Sequence, residues 1–157
     1  MKLQRLNGIA GFTLVELMVV VVIASILVTI AVPSYLAQVR QSRRTEARTA
    51  ILDLAQREER FFSTNGATYT AVPANLGYSG AFPQAVGSLY YQITVCSPAC
   101  APSTIATAPS YTVTATPVAG QSQVNDTPCQ SFSVDSTGRQ FAFDNAGNNT
   151  TTTCWSQ

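Results

Sequence analysis

The sequence predicts an α+β protein in which one long N-terminal helix packs against a four-stranded antiparallel sheet. Three observations support this class. An apolar run of helical length lies near the start of the chain, an amphipathic pattern of helical period follows it, and four segments with the two-residue period of strands come after that. With 157 residues, the chain is long enough for one domain and a membrane segment.

The first helical half, residues 12–39, is mostly apolar and exceeds the roughly 20 residues that span a bilayer. The segment before it, residues 1–11, is short, polar and weakly basic. No small-residue cleavage site follows the apolar run, so it differs from an ordinary secretory signal. It is either an uncleaved anchor or is cut on its cytoplasmic side. Pro33 removes one helical hydrogen bond and predicts a kink.

The second helical half, residues 40–62, predicts a helix with one apolar stripe. The stripe consists of Ala47, Ile51, Leu54, Ala55, Glu58, Phe61 and Phe62. Between these positions lie the arginines Arg40, Arg43, Arg44, Arg48, Arg57 and Arg60. We interpret this arginine cluster as a solvated helix face. The alternative is contact with phospholipid headgroups or with neighbouring subunits.

Residues 63–157 predict a globular head made of a loop, a sheet and a tail. Residues 63–84 are dense in Gly, Pro, Asn and Ser, as in a loop. Strands are predicted at 90–95, 110–118, 131–135 and 139–143. Their alternation places on one face Tyr91, Ile93, Val95, Tyr111, Val113, Ala115, Phe132, Val134, Phe141 and Phe143. Asp135 to Gly138 predicts a hairpin turn, and the tail from Asp144 is predicted to be irregular.

All four cysteines lie in the head, which favours two disulfides in an oxidising compartment over free thiols or a zinc site. Three connectivities are possible. We predict Cys96–Cys100, which flanks a tight Ser-Pro-Ala segment, and Cys129–Cys154, which brackets the last hairpin and the tail. The uncharged, Thr- and Ser-rich surface of the head also suits an extracellular location.

The composition argues against an enzyme. The chain has no His, no phosphate loop and no grouping of its late aspartates, so we predict no catalytic residue, no cofactor and no metal site. The motif "GFTLVEL" instead poses the question of why Glu16 lies in an apolar run, where an ionised carboxylate costs roughly 2.5–3.5 kcal/mol.

The motif "GFTLVEL", the apolar helix that follows, Pro33 and the disulfide-bearing β head together resemble a type IV pilin precursor. The segments "RTEARTAILDLAQREERFFS", "YTVTATPV" and "TTTTCW" resemble the PilE-like minor pilins in particular. The resemblance implies the type IV pilin fold. It also implies that residues 1–11 are a leader peptide, and that a prepilin peptidase cuts between Gly11 and Phe12 and methylates the new amine of Phe12.

The resemblance further implies a subunit that waits as a single-pass protein of the inner membrane with its head in the periplasm. The pilus assembly machinery then extracts it into an extracellular fibre, where its N-terminal helix packs with those of other pilin subunits. In an apolar core, Glu16 would pair with the amine of Phe12, in the same chain or in a neighbour. The alternative is a polar side chain that reaches the headgroups.

Several functions fit such a subunit. We predict a structural subunit of a type IV pilus, specifically a minor pilin that primes or modifies fibre assembly. The alternatives are a pilin that binds DNA during uptake or mediates adhesion, a major pilin, and a pseudopilin of type II secretion. From Phe61 to Gln157 the chain has one Arg and three Asp, so DNA capture by the head is possible but not favoured.

Overall fold

The computed structural model describes residues 11–105 and 107–156, and the chain divides into two units, Met1–Gln38 and Val39–Gln157. Helix α1 (Leu14–Thr64) begins in the first unit and ends in the second. This element confirms the long N-terminal helix that the sequence predicts, to within two residues at each end. Residues 1–10 of the predicted leader lie outside the described part of the chain.

The described part of the first unit is helical from Leu14 and apolar on all sides. Its large apolar side chains from Phe12 to Leu36 are between 47% and 82% exposed. The hydroxyl groups of Ser25 and Thr29 donate to the carbonyls of Val22 and Ile26, so they are satisfied within the helix. By length and composition, α1 can cross a membrane. The helix is assigned without interruption through Pro33, and the kink there stays a prediction.

The second unit contains a five-stranded antiparallel sheet, where the sequence predicted four strands. The strands are β1 (Gln84–Val86), β2 (Tyr91–Cys96), β3 (Thr112–Pro117), β4 (Ser131–Asp135) and β5 (Gln140–Phe143), in the spatial order β1-β2-β3-β4-β5. The additional strand, β1, has only three residues and lies at the edge of the sheet. Its shortness and its glycine- and proline-rich surroundings explain why alternation did not reveal it.

The core lies between one face of this sheet and the apolar stripe of α1. Residues directly opposite one another across neighbouring strands share a face, and Ala115 is opposite both Ile93 and Phe132. These side chains are fully buried and belong to one cluster with Ile51 and Leu54 of the helix. Each fully buried aliphatic or aromatic side chain contributes about 1.5–3 kcal/mol. All of the core therefore lies within residues 39–157.

The predicted face of the last strand is wrong. Ala142, rather than Phe141, lies opposite Phe132 and belongs to the core cluster. Phe141 lies opposite Ser133 and therefore on the other face of the sheet, which it shares with Phe143. Alternation identifies which residues share a face of a strand, but not which face meets the helix.

The sequence predicts an irregular tail, and this prediction is wrong. It forms a short helix, α2 (Thr151–Trp155). Cys154 of this helix forms a disulfide with Cys129, with 5.8 Å between the Cα atoms. The indole N–H of Trp155 donates to the carbonyl of Phe141 at 3.0 Å, and its ring packs edge-on against Phe132. These contacts hold α2 against the sheet.

Candidate functional site

The first candidate site is the start of α1, where the sequence predicts processing and assembly. Gly11, Phe12 and Thr13 precede the helix and are exposed, as accessible cleavage sites are. A Cβ atom added to Gly11 would meet nothing within 4 Å. The fold of this chain therefore does not itself require glycine at position 11, and the requirement that we predict belongs to the peptidase.

Thr13 was not singled out by the sequence, although it caps the helix. Its hydroxyl oxygen accepts a hydrogen bond of 3.2 Å from the backbone N–H of Glu16. Thr13 and Glu16 thus have the spacing of a capping box, in which the acid lies in the first helical turn near the positive end of the helix dipole. This spacing could have been read from "TLVE". The pairing of Glu16 with the amine of Phe12 stays a prediction.

The second candidate site is the surface of the head, and the arginine cluster contributes to its structure. Arg44 forms a bidentate ion pair with Asp126, at 2.6 and 2.7 Å, and both side chains are largely buried. The amide of Gln123 donates to Asp126 and to the hydroxyl of Tyr91. Hydrogen bonding to Asp126 raises the pKa of Arg44, and burial raises that of Tyr91 to about 12.

Other arginines of the cluster also contact the head. Arg43 lies over the ring of Tyr90, with 3.5 Å between guanidinium carbon and ring centroid, and donates to Ser122. Arg48 donates to the carbonyl of Trp155 at the C-terminal end of α2, at 3.1 Å. The interpretation of these residues as a solvated face is therefore wrong. Most of the cluster fastens α1 to the rest of the unit.

One end of the sheet is formed by two connections, which we call the loop end. They are the β2–β3 connection, described at residues 97–105 and 107–110, and the β4–β5 turn at residues 136–139. The structure pairs Cys96 with Cys100 at the start of the first connection, with 6.0 Å between the Cα atoms. Ser103 of that connection donates to the carboxylate of Asp135 at 3.1 Å, which ties it to the turn.

Asp135 is the buried centre of the loop end. Its carboxylate accepts hydrogen bonds from the backbone and hydroxyl of Thr137 and from the backbone N–H of Arg139. Burial disfavours its ionised form, but these hydrogen bonds outweigh burial and lower its pKa. Asp135 is therefore an ionised structural group of the turn, whereas the side chain of Arg139 faces solvent.

The last turns of α1 also reach the loop end. The hydroxyls of Tyr69 and Tyr111 both donate to Glu59, at 3.1 Å. The neighbouring Glu58 is fully buried, and one of its carboxylate oxygens accepts from the backbone N–H of Thr70 at 3.1 Å. Burial raises the pKa of Glu58 to about 7, although the Thr70 hydrogen bond opposes this shift.

The segments beside the two disulfides differ in exposure. Trp155, which follows Cys154, is half-buried and packed against Phe132. The Cys96–Cys100 segment, in contrast, is on the surface of the loop end. Ser103 and Asp135, which organise that end, carry no sequence signal that would have paired them.

Two family models match the chain. The model described as "Type IV minor pilin ComP, DNA uptake sequence receptor" matches residues 33–133, and the model described as "Prokaryotic N-terminal methylation motif" matches residues 6–32. Among curated proteins, the chain is similar to the "Type IV major pilin protein PilA" of Myxococcus xanthus (strain DK1622). The two are 41% identical over 64 residues, which are 40% of this chain and 29% of that relative.

Proposed function

Because this chain belongs to the ComP family of type IV minor pilins, we propose that its head binds double-stranded DNA at the pilus surface during DNA uptake. The chain is a pilin with an apolar N-terminal helix, anchored in the membrane and later part of the extracellular pilus. The family is structural, and we propose that the chain itself catalyses no reaction. Its partners are other pilins and the assembly machinery.

The proposal rests on the burial of most acidic side chains of the head. Of the three aspartates beyond Phe61, Asp126 and Asp135 are buried and occupied by internal hydrogen bonds. The negative net charge of the head, which argued against DNA capture, is thus mostly inside the protein. This removes the electrostatic objection that the residue count had raised.

The loop end fits DNA better than the opposite end of the sheet. Among its exposed described residues, Arg139 is the only one with a charged side chain. The exposed residues Thr104 and Thr107 add hydroxyl and backbone groups that can contact base edges. Arg43, at the other end, lies four residues after Val39, where the apolar assembly segment ends. We therefore assign DNA contact to Arg139 and not to Arg43.

Few phosphate contacts imply weak non-specific binding, so the head must select DNA by base contacts. The test is fluorescence anisotropy of the full chain in uncharged detergent. One set of duplexes comes from the host's own genome, and the other has shuffled sequence. We expect tighter binding to a subset of genomic duplexes, with a shallow salt dependence. Arg139→Gln should reduce the slope of log K against log salt by about 1.

Arg43→Gln is the matched control, because it removes the same charge from the other end of the sheet. We expect it to leave the salt slope unchanged. Equal and weak binding to all duplexes, or a loss that follows Arg43 rather than Arg139, would contradict the proposal.

A further inference from the structure

A polar cavity of about 350 Å³, open to solvent, lies beside the last turns of α1. Its other wall is the short 3-10 helix Pro73–Leu76 and the glycine that follows it. The lining includes Arg57, Arg60, Phe61, Asn65, Asn75 and Gly77. No acidic side chain belongs to the described lining. Its volume is near the lower limit of small-ligand pockets, which suits one phosphate and an attached sugar rather than a whole duplex.

Arg57 is held in place at this cavity. Its Nε donates to Asp53 at 2.8 Å and its Nη1 donates to the carbonyl of Leu76 at 3.1 Å. The guanidinium also lies 5.0 Å from the ring centroid of Tyr78. A guanidinium fixed in this way loses little conformational entropy when it binds an anion with its remaining N–H groups.

Gly77 makes room for that arrangement. It has a φ of 77°, and a Cβ atom there would lie 2.9 Å from Nη1 of Arg57. An alanine would therefore strain the backbone and push the guanidinium away from the carbonyl that positions it. Gly77 thus determines where Arg57 presents its charge.

Arg60 supplies a second positive charge one helical turn further on. Its side chain is exposed, lines the cavity and has no ion pair or hydrogen bond with the described residues. Among nearby acids, Asp53 partly neutralises Arg57, Glu59 accepts from two tyrosines, and Glu58 is buried. The charge of Arg60 therefore remains available to a ligand.

We propose that this cavity is a phosphate-binding site in which Arg57 and Arg60 hold one phosphate group. Two arginines suit the oxygen geometry of phosphate, and the amide of Asn75, which uses one N–H on the hydroxyl of Thr70, has a second N–H to offer. That the phosphate belongs to DNA rests on the proposed function, because the end of α1 adjoins the loop end through Tyr69 and Tyr111. The phosphate is either one of the backbone or one at a strand end.

The experiment uses the full chain in uncharged detergent micelles, with inorganic phosphate titrated by calorimetry. We expect saturable binding that Arg60→Gln weakens about tenfold, as expected for the loss of one charge-assisted hydrogen bond. Gly77→Ala should weaken it to a similar extent. Arg40→Gln, on the same helix but away from the cavity, should change the affinity less than twofold.

Absence of saturable phosphate binding, or equal losses in Arg60→Gln and Arg40→Gln, would overturn the site. Circular dichroism of each variant separates loss of binding from loss of fold. Duplexes with and without 5′-phosphates identify the source, because only a strand-end ligand is sensitive to their removal. If phosphate binds through Arg60 but no duplex binds, the phosphate-binding site is supported and the proposed function is contradicted. If duplex binds and Arg60→Gln changes the affinity for neither phosphate nor duplex, the phosphate-binding site is contradicted and the proposed function is not.

Discussion

At the scale of single residues, Glu58 is a carboxyl group whose ionised form is disfavoured by the fold. It is fully buried on α1, and its Oε1 has no hydrogen-bond partner within the described part of the chain. A buried, half-satisfied carboxylate favours its protonated form. Stability should therefore depend on pH near neutrality.

Replacement of Glu58 by glutamine should flatten this pH dependence. The folded-state pKa of about 7 exceeds the ordinary value of 4.5, so folding favours protonated Glu58. Its contribution is fully present below pH 4.5 and is lost as pH rises through 7, by roughly 3 kcal/mol in total. Denaturant unfolding of residues 39–157 at pH 5 and 8 measures this loss. Asp53→Asn, which removes an exposed carboxylate from the same helix, is the control, and a wild-type stability that does not fall relative to Glu58→Gln would refute the idea.

Buried residues could be predicted from the sequence where the spacing of apolar residues matches the period of the helix or strand that contains them. The stripe of α1 and the core residues of β2 and β3 follow directly from apolar alternation, because a half-buried element must turn its apolar side inward. Individual polar contacts were not predictable. The pairing of Arg44 with Asp126 joins residues far apart in sequence, and an arginine on a helix looks the same whether it is solvated or paired.

At the scale of elements, the Arg44–Asp126 pair joins α1 to the connection between β3 and β4. Removal of one partner leaves the other buried without a counter-charge, which typically costs about 3–5 kcal/mol. We expect Asp126→Asn to destabilise residues 39–157 on this scale. Arg44→Met combined with Asp126→Leu should cost less than the single change. Chemical denaturation of the wild type, Arg44→Met, Asp126→Leu and the double variant measures the coupling, and additive losses would show that the two side chains act independently.

The Cys129–Cys154 bridge ties α2 to the connection before β4. It closes a loop with a sequence separation of 25. Loop-closure entropy gives roughly 3–4 kcal/mol for such a loop. We expect Cys129→Ser with Cys154→Ser to lower stability by about this amount and to expose Trp155 to fluorescence quenchers. Non-reducing peptide mapping checks the connectivity, and a peptide that joins Cys96 to Cys129 would contradict it.

The major elements were predictable and the small ones were not. A long apolar run identifies the first half of α1, a 3.6-residue period identifies its second half, and strands β2 to β5 have enough alternation to be recognised. β1 has three residues and α2 has five, so neither contains a full pattern. The threonine-rich tail also lacks helix-forming residues, and α2 depends on the disulfide, Arg48 and Trp155.

At the scale of the whole molecule, Glu16 should matter for assembly and not for folding. The core lies entirely within residues 39–157, so Glu16→Val should leave a membrane-inserted protein with intact disulfides. We expect its amount in purified pili to fall at least tenfold because the counter-charge for the processed amine is lost. Thr29→Val, which removes another polar group from the same segment, is the control. Equal incorporation of both variants would refute the pairing.

Processing should depend on Gly11. Since the fold leaves space for a side chain there, Gly11→Val should fold normally but retain the leader. Mass spectrometry of the wild-type fibre protein should show an N-methylated Phe12, and membranes of the variant should contain the full-length precursor. Detection of residues 1–11 on fibre-assembled wild-type protein would exclude cleavage at this site.

The spatial order of the strands matches their order along the chain, and this order affects how the head folds during export. Every strand finds its hydrogen-bonding partner in the segment synthesised just before or after it, so the sheet needs few long loop closures before it gains stability. As the polypeptide emerges from the translocation channel, the sheet can grow one strand at a time on the helix already delivered. Two contacts of α1 with later segments come last: Arg44 can pair with Asp126 only after β3 and the connection behind it have been exported, and Arg48 can contact α2 only once the end of the chain has followed.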